Sequence, residues 1–403
     1  MRNKPLSICL LLVATMSGMS LWYMTAAVLP DMVGETRLNE AQLAWLSSVV
    51  PAGFGAGALV FALTGIPDRF DPRRVFACCV TATALANAGL LAVPIGGLEA
   101  IGLRFVAGIL MAGTWPVSMK IAVGWSVERR GLLMGGLVGA LVAGQAIPYL
   151  LAWVGGSDWR LAVTLGSILA AASGALILMV SLGPHHSRAT AFRTRAIWLA
   201  WSNRRIRAAI LGYLGHMWEF IAFWTWAGVI AATSFATRMD TADAVNLGKL
   251  TAFICILAAT PACVWTGLMA DRVGKARVAT GALAISGTAG LLTAATFGGP
   301  VWLTALLMIV WGAAVVPDSP QFSALVADNA PPELAGSLLT FQASLGFMMT
   351  TLTVQAAPLV AGIGGWPVVI VLLALGPVFG ILAMRRVRWR AHLSDERRQA
   401  ERD

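Results

Sequence analysis

The stretch GLMADRVGKAR, residues 267–277, repeats an earlier one, GIPDRFDPRR, at residues 65–74. Each copy follows a long apolar run and carries an Asp-Arg pair, and Asp68 and Asp271 are 203 residues apart (271 − 68). A later pair of motifs, GGSDW and GIGGW, is offset by 207 residues (366 − 159). A nearly constant offset of half the chain length predicts a parallel duplication of one structural unit.

The composition is that of a membrane protein. Of the 403 residues, 58% are hydrophobic and only 12% are charged, whereas a soluble domain carries about 25% charged residues. Apolar runs of about 20 residues are typical of transmembrane helices. The sequence contains twelve such runs, at 6–30, 41–65, 75–94, 98–122, 132–154, 159–182, 207–234, 246–270, 277–297, 300–326, 336–361 and 365–384.

The positive charges follow membrane topology. The net charge is +10, but most of the 29 Lys and Arg residues fall in the terminal segments and in loops on the same side. The segments on the other side hold only Arg37, Arg160, Arg238 and Lys249. This asymmetry predicts cytoplasmic termini in a cell inner (plasma) membrane, with basic residues near lipid headgroups, and it argues against a nucleic-acid-binding domain.

The repeat and the spans together predict the domain organisation. We expect an all-α membrane protein of twelve transmembrane helices in two pseudo-symmetric six-helix bundles. The N-terminal bundle covers residues 1–182 and the C-terminal bundle covers residues 207–384. A cytoplasmic linker at 183–206 and a basic cytoplasmic tail at 385–403 complete the chain.

The motifs give the sequence a specific resemblance. It is similar to the major facilitator superfamily over essentially its whole length. The first loop motif matches the family pattern at Gly65, Asp68, Arg69, Arg73 and Arg74, although Asp71 replaces a glycine. The second copy matches at Gly267, Asp271, Arg272, Gly274 and Lys275, and Arg104 and Gly108 match the fourth-span arginine motif. The resemblance implies a monomeric secondary transporter that works by alternating access between its two bundles.

The loop motifs are candidate gating elements. An aspartate near a helix N-terminus is attracted by the positive helix end, and neighbouring arginines form ion pairs. Such a cluster is able to hold two helices together in one conformation and release them in the other. The candidate gating residues are Asp68, Arg69 and Arg73 in the first copy and Asp271 and Arg272 in the second. The alternative is that these charges only set the topology.

Two ionisable residues lie inside the seventh predicted span. His216, Glu219, Phe223 and Trp226 share one helical face, and Glu219 falls near the membrane midplane. Because a charged side chain at that depth is costly, it usually serves a function. We therefore expect Glu219 and His216 to couple transport to protons. The alternatives are a permanently paired glutamate that ties two helices together and a hydrogen-bonded structural histidine.

Three other charged residues are expected to be buried within the predicted spans. Arg104 and Lys120 belong to span four, and Asp318 belongs to span ten between Pro317 and Pro320, which interrupt helical hydrogen bonding. Lys120 and Asp318 are 198 residues apart (318 − 120), close to the repeat offset, which predicts similar depths on equivalent helices. We expect them to form a gate on the cytoplasmic side. Alternatively, Lys120 extends to the interface as a snorkelling residue.

The candidate substrate-binding residues are mainly aromatic. They are Arg104, Trp22, Tyr23, Trp115, Trp226 and Gln321. Arg104 and the aromatic rings favour a small organic anion as substrate. Glu219 and Asp318 would instead suit a lipophilic or cationic drug, which implies proton-coupled export. His216 with Met16 and Met19 leaves metal-ion transport as a less favoured reading.

Enzymes are disfavoured by the motifs. The sequence contains no HExxH, GxSxG or GxxxxGK[ST] pattern, and it offers no cofactor site. Its five cysteines lie inside predicted spans and do not form a metal-ligand or disulfide pattern with the histidines. We expect the partners to be a small-molecule substrate, protons and membrane lipid.

Overall fold

The computed structural model describes residues 4–35, 38–125, 130–184, 195–385 and 387. Within these ranges the chain forms α-helices and one 3₁₀ turn, Gly89–Leu91, and contains no β-strand. The predicted all-α fold class is therefore confirmed. Nearly all of the predicted basic tail lies outside the described residues.

The described part of the first half contains nine helices. They are α1 (Lys4–Gly18), α2 (Met24–Glu35), α3 (Glu40–Thr64), α4 (Ile66–Arg69), α5 (Pro72–Ala88), α6 (Leu98–Met111), α7 (Trp115–Val123), α8 (Arg130–Val154) and α9 (Trp159–Leu178). The helix α9 ends four residues before the predicted limit of the N-terminal bundle at residue 182.

The described part of the second half contains seven helices. They are α10 (Arg195–Ser202), α11 (Arg204–Phe235), α12 (Thr241–Val273), α13 (Lys275–Ala295), α14 (Val301–Ala314), α15 (Ser319–Asp328) and α16 (Pro332–Arg385). The short helix α10 lies in the predicted linker. The side chain of Asn203 caps α11 by accepting hydrogen bonds from the backbone N–H groups of Arg205 and Ile206.

Three predicted spans are each built from two helices separated by a turn. The turns lie at residues 19–23, 112–114 and 315–318. The second and third turns begin 203 residues apart (315 − 112), which is the offset between the two loop motifs. The repeat therefore includes the positions of these breaks. Pro116 and Pro320 stand in the first turn of α7 and α15, where the missing N–H of proline costs nothing. The predicted interruption around Pro317 and Pro320 is confirmed.

The last long helix, α16, contains the final two predicted spans. Its backbone leaves helical geometry at Gly365, where φ is 77° and ψ is 173°, a conformation that a residue with a Cβ rarely adopts. In the described residues, nine stretches are long and apolar enough to cross a membrane, and α16 counts as one of them. The helices α1 and α2 are shorter apolar helices. The total of twelve spans therefore stays a prediction.

The helices pack as two bundles. In the first half, α3 packs on α6, α5 on α9, and α1 on both α8 and α9. In the second half, α11 packs on α12 and α16, and α13 packs on α14 and α16. The bundles meet where α8 contacts α12, α3 contacts α16, and α2 contacts α11. Within the first bundle, a Cβ at Gly57 would collide with the backbone of Ile109, so glycine permits the close approach of α3 and α6.

Candidate functional site

The carboxyl group of Glu219 connects three helices of the second bundle. Glu219 lies on α11 and is fully buried. Its Oε1 accepts a hydrogen bond of 2.6 Å from the hydroxyl of Ser286 on α13. Its Oε2 accepts one of 3.0 Å from the indole Nε1 of Trp311 on α14. No Lys or Arg among the described residues forms an ion pair with Glu219, so both of its oxygens are held by neutral donors.

The ring of Trp311 is itself fixed in place. It stacks on Phe223 of α11 with a centroid separation of 3.7 Å and an interplanar angle of 10°. Because Phe223 follows Glu219 by one turn of the same helix, one face of α11 both stacks the indole and accepts its N–H. The hydrogen bond to Glu219 is therefore preorganised by packing.

His216 and Asp318 form a second buried pair in the same bundle. The Nδ1 of His216 lies 2.9 Å from Oδ1 of Asp318, and both side chains are at most 1% exposed. Asp318 occupies the N-cap position of α15, directly after the break in span ten. The imidazole also stacks on Phe220, with ring centroids 5.0 Å apart. We name Glu219, His216 and Asp318 the titratable network.

Lys120, the predicted gating partner of Asp318, is half-buried on α7. In this conformation the near neighbour of Asp318 is His216. The pairing of Lys120 with Asp318 stays a prediction for a different conformation of the two bundles.

Arg104 supports the break in the first span. Its Nη2 donates to the carbonyl oxygens of Leu21 and Trp22 at 3.0 and 3.1 Å. Its Nη1 donates to Oδ1 of Asn87 at 3.1 Å. The turn between α1 and α2 leaves carbonyl groups without helical partners, and the guanidinium satisfies two of them. Of the three guanidinium nitrogens of Arg104, Nε lacks a hydrogen-bond partner among the described residues.

Aromatic side chains from both bundles meet beside this turn. Trp22, Tyr23, Phe54 and Tyr149 come from the first bundle, and Trp224 and Phe347 come from the second. We name these six residues the interface aromatic cluster. The Trp22 ring lies 5.1 Å from Phe54 and 5.9 Å from Phe347, and the Tyr23 ring lies 6.2 Å from Trp224. The hydroxyl of Tyr149 donates to the carbonyl oxygen of Trp224 at 2.6 Å.

Three polar groups of this cluster are buried without a hydrogen bond. Within the described part of the chain, neither the indole Nε1 of Trp22 and Trp224 nor the hydroxyl of Tyr23 has a partner of ordinary geometry. The Tyr23 hydroxyl lies beside the Trp22 indole, and neither group forms a hydrogen bond of ordinary geometry with another described residue. Buried donors are normally satisfied, so these three require an explanation.

The remaining predicted binding residues lie elsewhere. Trp226 packs inside the second bundle, where its ring lies 5.6 Å from Trp366 and its Nε1 donates to the carbonyl of Val354. Trp115 is half-buried at the start of α7, and Gln321 is buried on α15. Trp224, which the sequence analysis did not select, lies at the bundle interface instead. Only the packing of α11 distinguishes it from Trp226.

The two loop motifs form ion pairs within their own bundles. Asp71 caps α5, and the guanidinium of Arg73 contacts this carboxylate at 2.7 Å while it donates to the carbonyl of Val180. In the second copy, Lys275 contacts Asp328 at 2.6 Å. Asp71 stands where the family pattern has a glycine, and its side chain caps the N-terminus of α5.

Three other predicted gating residues of these loops form no ion pair with another described residue. Arg69, Asp271 and Arg272 are exposed, and the side chain of Asp68 lies outside the described residues. Their gating role stays a prediction.

A buried lysine joins the two bundles and corrects the sequence analysis. Lys249, treated there as an outward-facing loop charge, is 2% exposed inside α12. Its Nζ donates to Oδ1 of Asp31 at 2.9 Å and to the carbonyl of Gly156 at 2.5 Å. Both acceptors belong to the first bundle. The position of Lys249 within the predicted span 246–270 was the available signal.

Two bundles of apolar helices that bury ionisable side chains and meet at an aromatic cluster are typical of multi-pass membrane proteins that transport solutes. The sequence model of the Major Facilitator Superfamily matches residues 10–354, and the chain belongs to this family. Membership of this family indicates a membrane transporter rather than an enzyme. The resemblance found in the motifs is thereby confirmed.

Individual relatives are more distant. The putative niacin/nicotinamide transporter NiaP of Bacillus subtilis (strain 168) is 26% identical over 205 residues, which are 47% of this chain and 48% of the relative. This chain therefore spans about half the length of that curated relative. The crystal structure of the nucleoside transporter NupG matches with a TM-score of 0.73 at 15% identity, covering 95% of this chain and 100% of that one. A D-xylose-proton symporter gives 0.70 at 18% identity, covering 95% and 97%. The solved structures establish the shared fold.

Proposed function

We propose that this protein is a secondary transporter that moves a small organic solute by alternating access and couples that movement to protons. The titratable network carries the proposal. Glu219 and Asp318 are buried within predicted spans seven and ten, and among the described residues neither forms an ion pair with a Lys or Arg. Ionisable groups at membrane depth are costly and are typical of ion and proton pathways.

The network is also placed to sense a conformational change. It joins α11 to α13, α14 and the break before α15. A shift of α11 against these helices changes the distances from Glu219 to its two donors and from His216 to Asp318. Proton release from the network and movement of the second bundle are therefore coupled in the proposed mechanism.

Alternating access also requires contacts that hold one side closed. Lys249 supplies such a contact, because it bonds to the first bundle from within the second. It lies at the end of the molecule opposite the N-terminus, beside the connection of α8 and α9. In the proposed topology, with both termini cytoplasmic in the inner membrane, this is the outer side, and the conformation described is closed there. The loop motifs and the pair Lys120 and Asp318 are the proposed gate on the other side.

A small organic anion is the proposed substrate, and a lipophilic or cationic drug is the alternative. A cation would need a free carboxylate, yet Asp318 faces His216 and Glu219 is held by Ser286 and Trp311. The relative named for niacin and nicotinamide supports a small organic solute. The neighbour named a proton symporter supports coupling to protons. We propose that the functional unit is a monomer in contact with membrane lipid.

Transport of labelled solute into proteoliposomes tests the proposal. A thermal-shift screen of the purified protein first selects a solute, because a specific ligand raises apparent stability by mass action. We expect the selected solute to accumulate only when a pH gradient is imposed, and to exchange without one. Accumulation that depends on the gradient of another ion and not on the pH gradient would contradict proton coupling. Binding without any movement across the membrane would contradict transport and indicate a receptor.

A further inference from the structure

The interface aromatic cluster lies where a solute must pass between the bundles. Trp22 and Tyr23 belong to the turn that breaks the first span, and this turn is supported by Arg104. Trp224 comes from α11 and Phe347 comes from α16. The rings therefore belong to both bundles, and their contacts must change when the bundles move apart.

The cluster presents flat apolar faces. Phe54 and Phe347 have ring centroids 4.5 Å apart, and Trp22 lies within 6 Å of each of them. Aromatic rings at such distances gain free energy from stacked or edge-to-face packing beyond the area that they bury. A ring of a bound solute would recover the same packing if it replaced one of these contacts.

The cluster also presents hydrogen-bond donors without acceptors. An indole N–H only donates, so Trp22 and Trp224 each require an acceptor. Both side chains are at most 4% exposed, and Tyr23 is 2% exposed. Leaving a buried donor unsatisfied opposes the folded state, and an acceptor that arrives with a ligand removes this penalty. Because these donors come from both bundles, an acceptor group on a ligand bound between the bundles is able to satisfy them.

We propose, on the basis of the proposed transport function, that the interface aromatic cluster binds a planar aromatic or heteroaromatic solute that carries a carboxylate or carboxamide. The solute's ring replaces the ring contacts between Trp22 and Phe347. Its oxygen atoms accept hydrogen bonds from Trp22, Trp224 and Tyr23. In the conformation described the protein's own rings fill this space, so binding requires the bundles to separate at the cluster.

A ligand series separates the two recognition elements. Nicotinate, nicotinamide and benzoate each carry a flat ring with an acceptor group, whereas cyclohexanecarboxylate carries the same carboxylate on a puckered, saturated ring. Binding to the purified full-length protein is measured by the shift in Tm and by quenching of tryptophan fluorescence. We expect at least one of the three aromatic compounds to bind at least tenfold more tightly than cyclohexanecarboxylate. If none of the three aromatic compounds binds more tightly than cyclohexanecarboxylate, the requirement for a flat ring is overturned.

Two variants test the donors without removing a ring. Tyr23→Phe removes only the hydroxyl, and Trp224→Phe removes the N–H but keeps an aromatic face. We expect each to weaken binding of the aromatic acid by about tenfold or more, the effect of one lost hydrogen bond to a charged acceptor. Trp218→Phe is the matched control, because Trp218 lies on the same helix and its Nε1 already donates to the carbonyl of Leu372 at 2.9 Å.

The outcomes distinguish this site from the transport function. Unchanged affinity in both Tyr23→Phe and Trp224→Phe, each with a parental Tm in the absence of ligand, overturns the site. If no aromatic compound binds while proteoliposomes accumulate a non-aromatic solute, the proposed solute class is contradicted and the transport function is supported. If an aromatic acid binds through these donors but never crosses the membrane, the site is supported and the proposed transport function is contradicted.

Discussion

The ammonium group of Lys249 lies 2.8 Å from the carboxylate of Asp31 and joins the two bundles through a nearly buried ion pair. The side chains are 3% and 7% exposed. Additional hydrogen bonds from the same Nζ to the carbonyls of Ala152 and Gly156 satisfy the remaining protons of the ammonium group. A buried pair of this kind is strongly destabilising when only one partner is removed.

The first prediction concerns this pair. Lys249→Met leaves the Asp31 carboxylate without its cation, at a cost of about 3 kcal/mol to the conformation described. Since about 1.4 kcal/mol changes an equilibrium tenfold, we expect the population to shift towards the conformation open at this end. A cysteine introduced at position 152, buried here, should then react faster with a membrane-impermeant thiol reagent. Adding Asp31→Asn removes the unpaired charge and should restore part of the protection, whereas equal labelling in all variants would show that the pair does not hold the bundles.

The second prediction concerns proton coupling. Glu219→Gln keeps the size of the side chain but removes the titrating group. We expect loss of pH-driven accumulation in proteoliposomes, with exchange of solute down its own gradient partly retained. Ser286→Ala is the control, because it removes one donor and leaves the carboxyl group able to bind a proton. Accumulation by the Gln variant at the parental level would make Glu219 a structural tie between α11, α13 and α14.

The third prediction concerns Arg104. Lysine retains the positive charge but lacks the planar fork that reaches Asn87 and two carbonyl groups together. We expect Arg104→Lys to raise the KM for the transported solute by about tenfold, as expected for a net loss of about 1.4 kcal/mol, with normal membrane insertion. Asn87→Ala removes a single acceptor and should have a smaller effect. Unchanged KM together with normal expression would exclude Arg104 from solute recognition.

The fourth prediction separates two partners of Asp318. Asp318→Asn should weaken the contact with His216 and change cysteine accessibility from the side of the termini. If Lys120 pairs with Asp318 in the other conformation, Lys120→Asp combined with Asp318→Lys should partly restore the parental accessibility. Failure of this charge exchange, with the single variant still altered, would assign Asp318 to His216 alone. Unaltered accessibility in the single variant would remove Asp318 from gating.

The fifth prediction concerns the loop between α4 and α5. Hydrogen bonding from the Arg73 side chain holds the pKa of the Asp71 carboxyl below its ordinary value of 3.8. A lowered folded-state pKa stabilises the fold above the unfolded pKa, and this contribution is lost as the pH falls through the folded value. Asp71→Ala should cost about 1 kcal/mol through the lost cap. The difference in Tm between the parent and this variant should shrink below about pH 4, and a difference independent of pH would contradict the ion pair.

The sequence determined the fold class, the duplication and the family. These follow from apolar run length, the offset between motifs and the breaks near proline, all of which are local properties of the chain. The same local signals located Glu219, His216, Arg104 and Asp318 as buried ionisable residues, because charge inside an apolar run is visible without knowing what it contacts.

Only the tertiary structure decided how these residues are paired. His216 faces Asp318 and Glu219 meets Trp311 because α11, α13, α14 and α15 converge, and the contacts of Glu219 span 67 and 92 residues of sequence. Lys249 contacts Asp31, which is 218 residues away in the sequence and belongs to the other bundle. Trp224 lies at the bundle interface and Trp226 does not, because side chains two positions apart on a helix differ in direction by about 200°. Sequence periodicity fixes the angle between such side chains, and packing alone fixes which of them faces the other bundle.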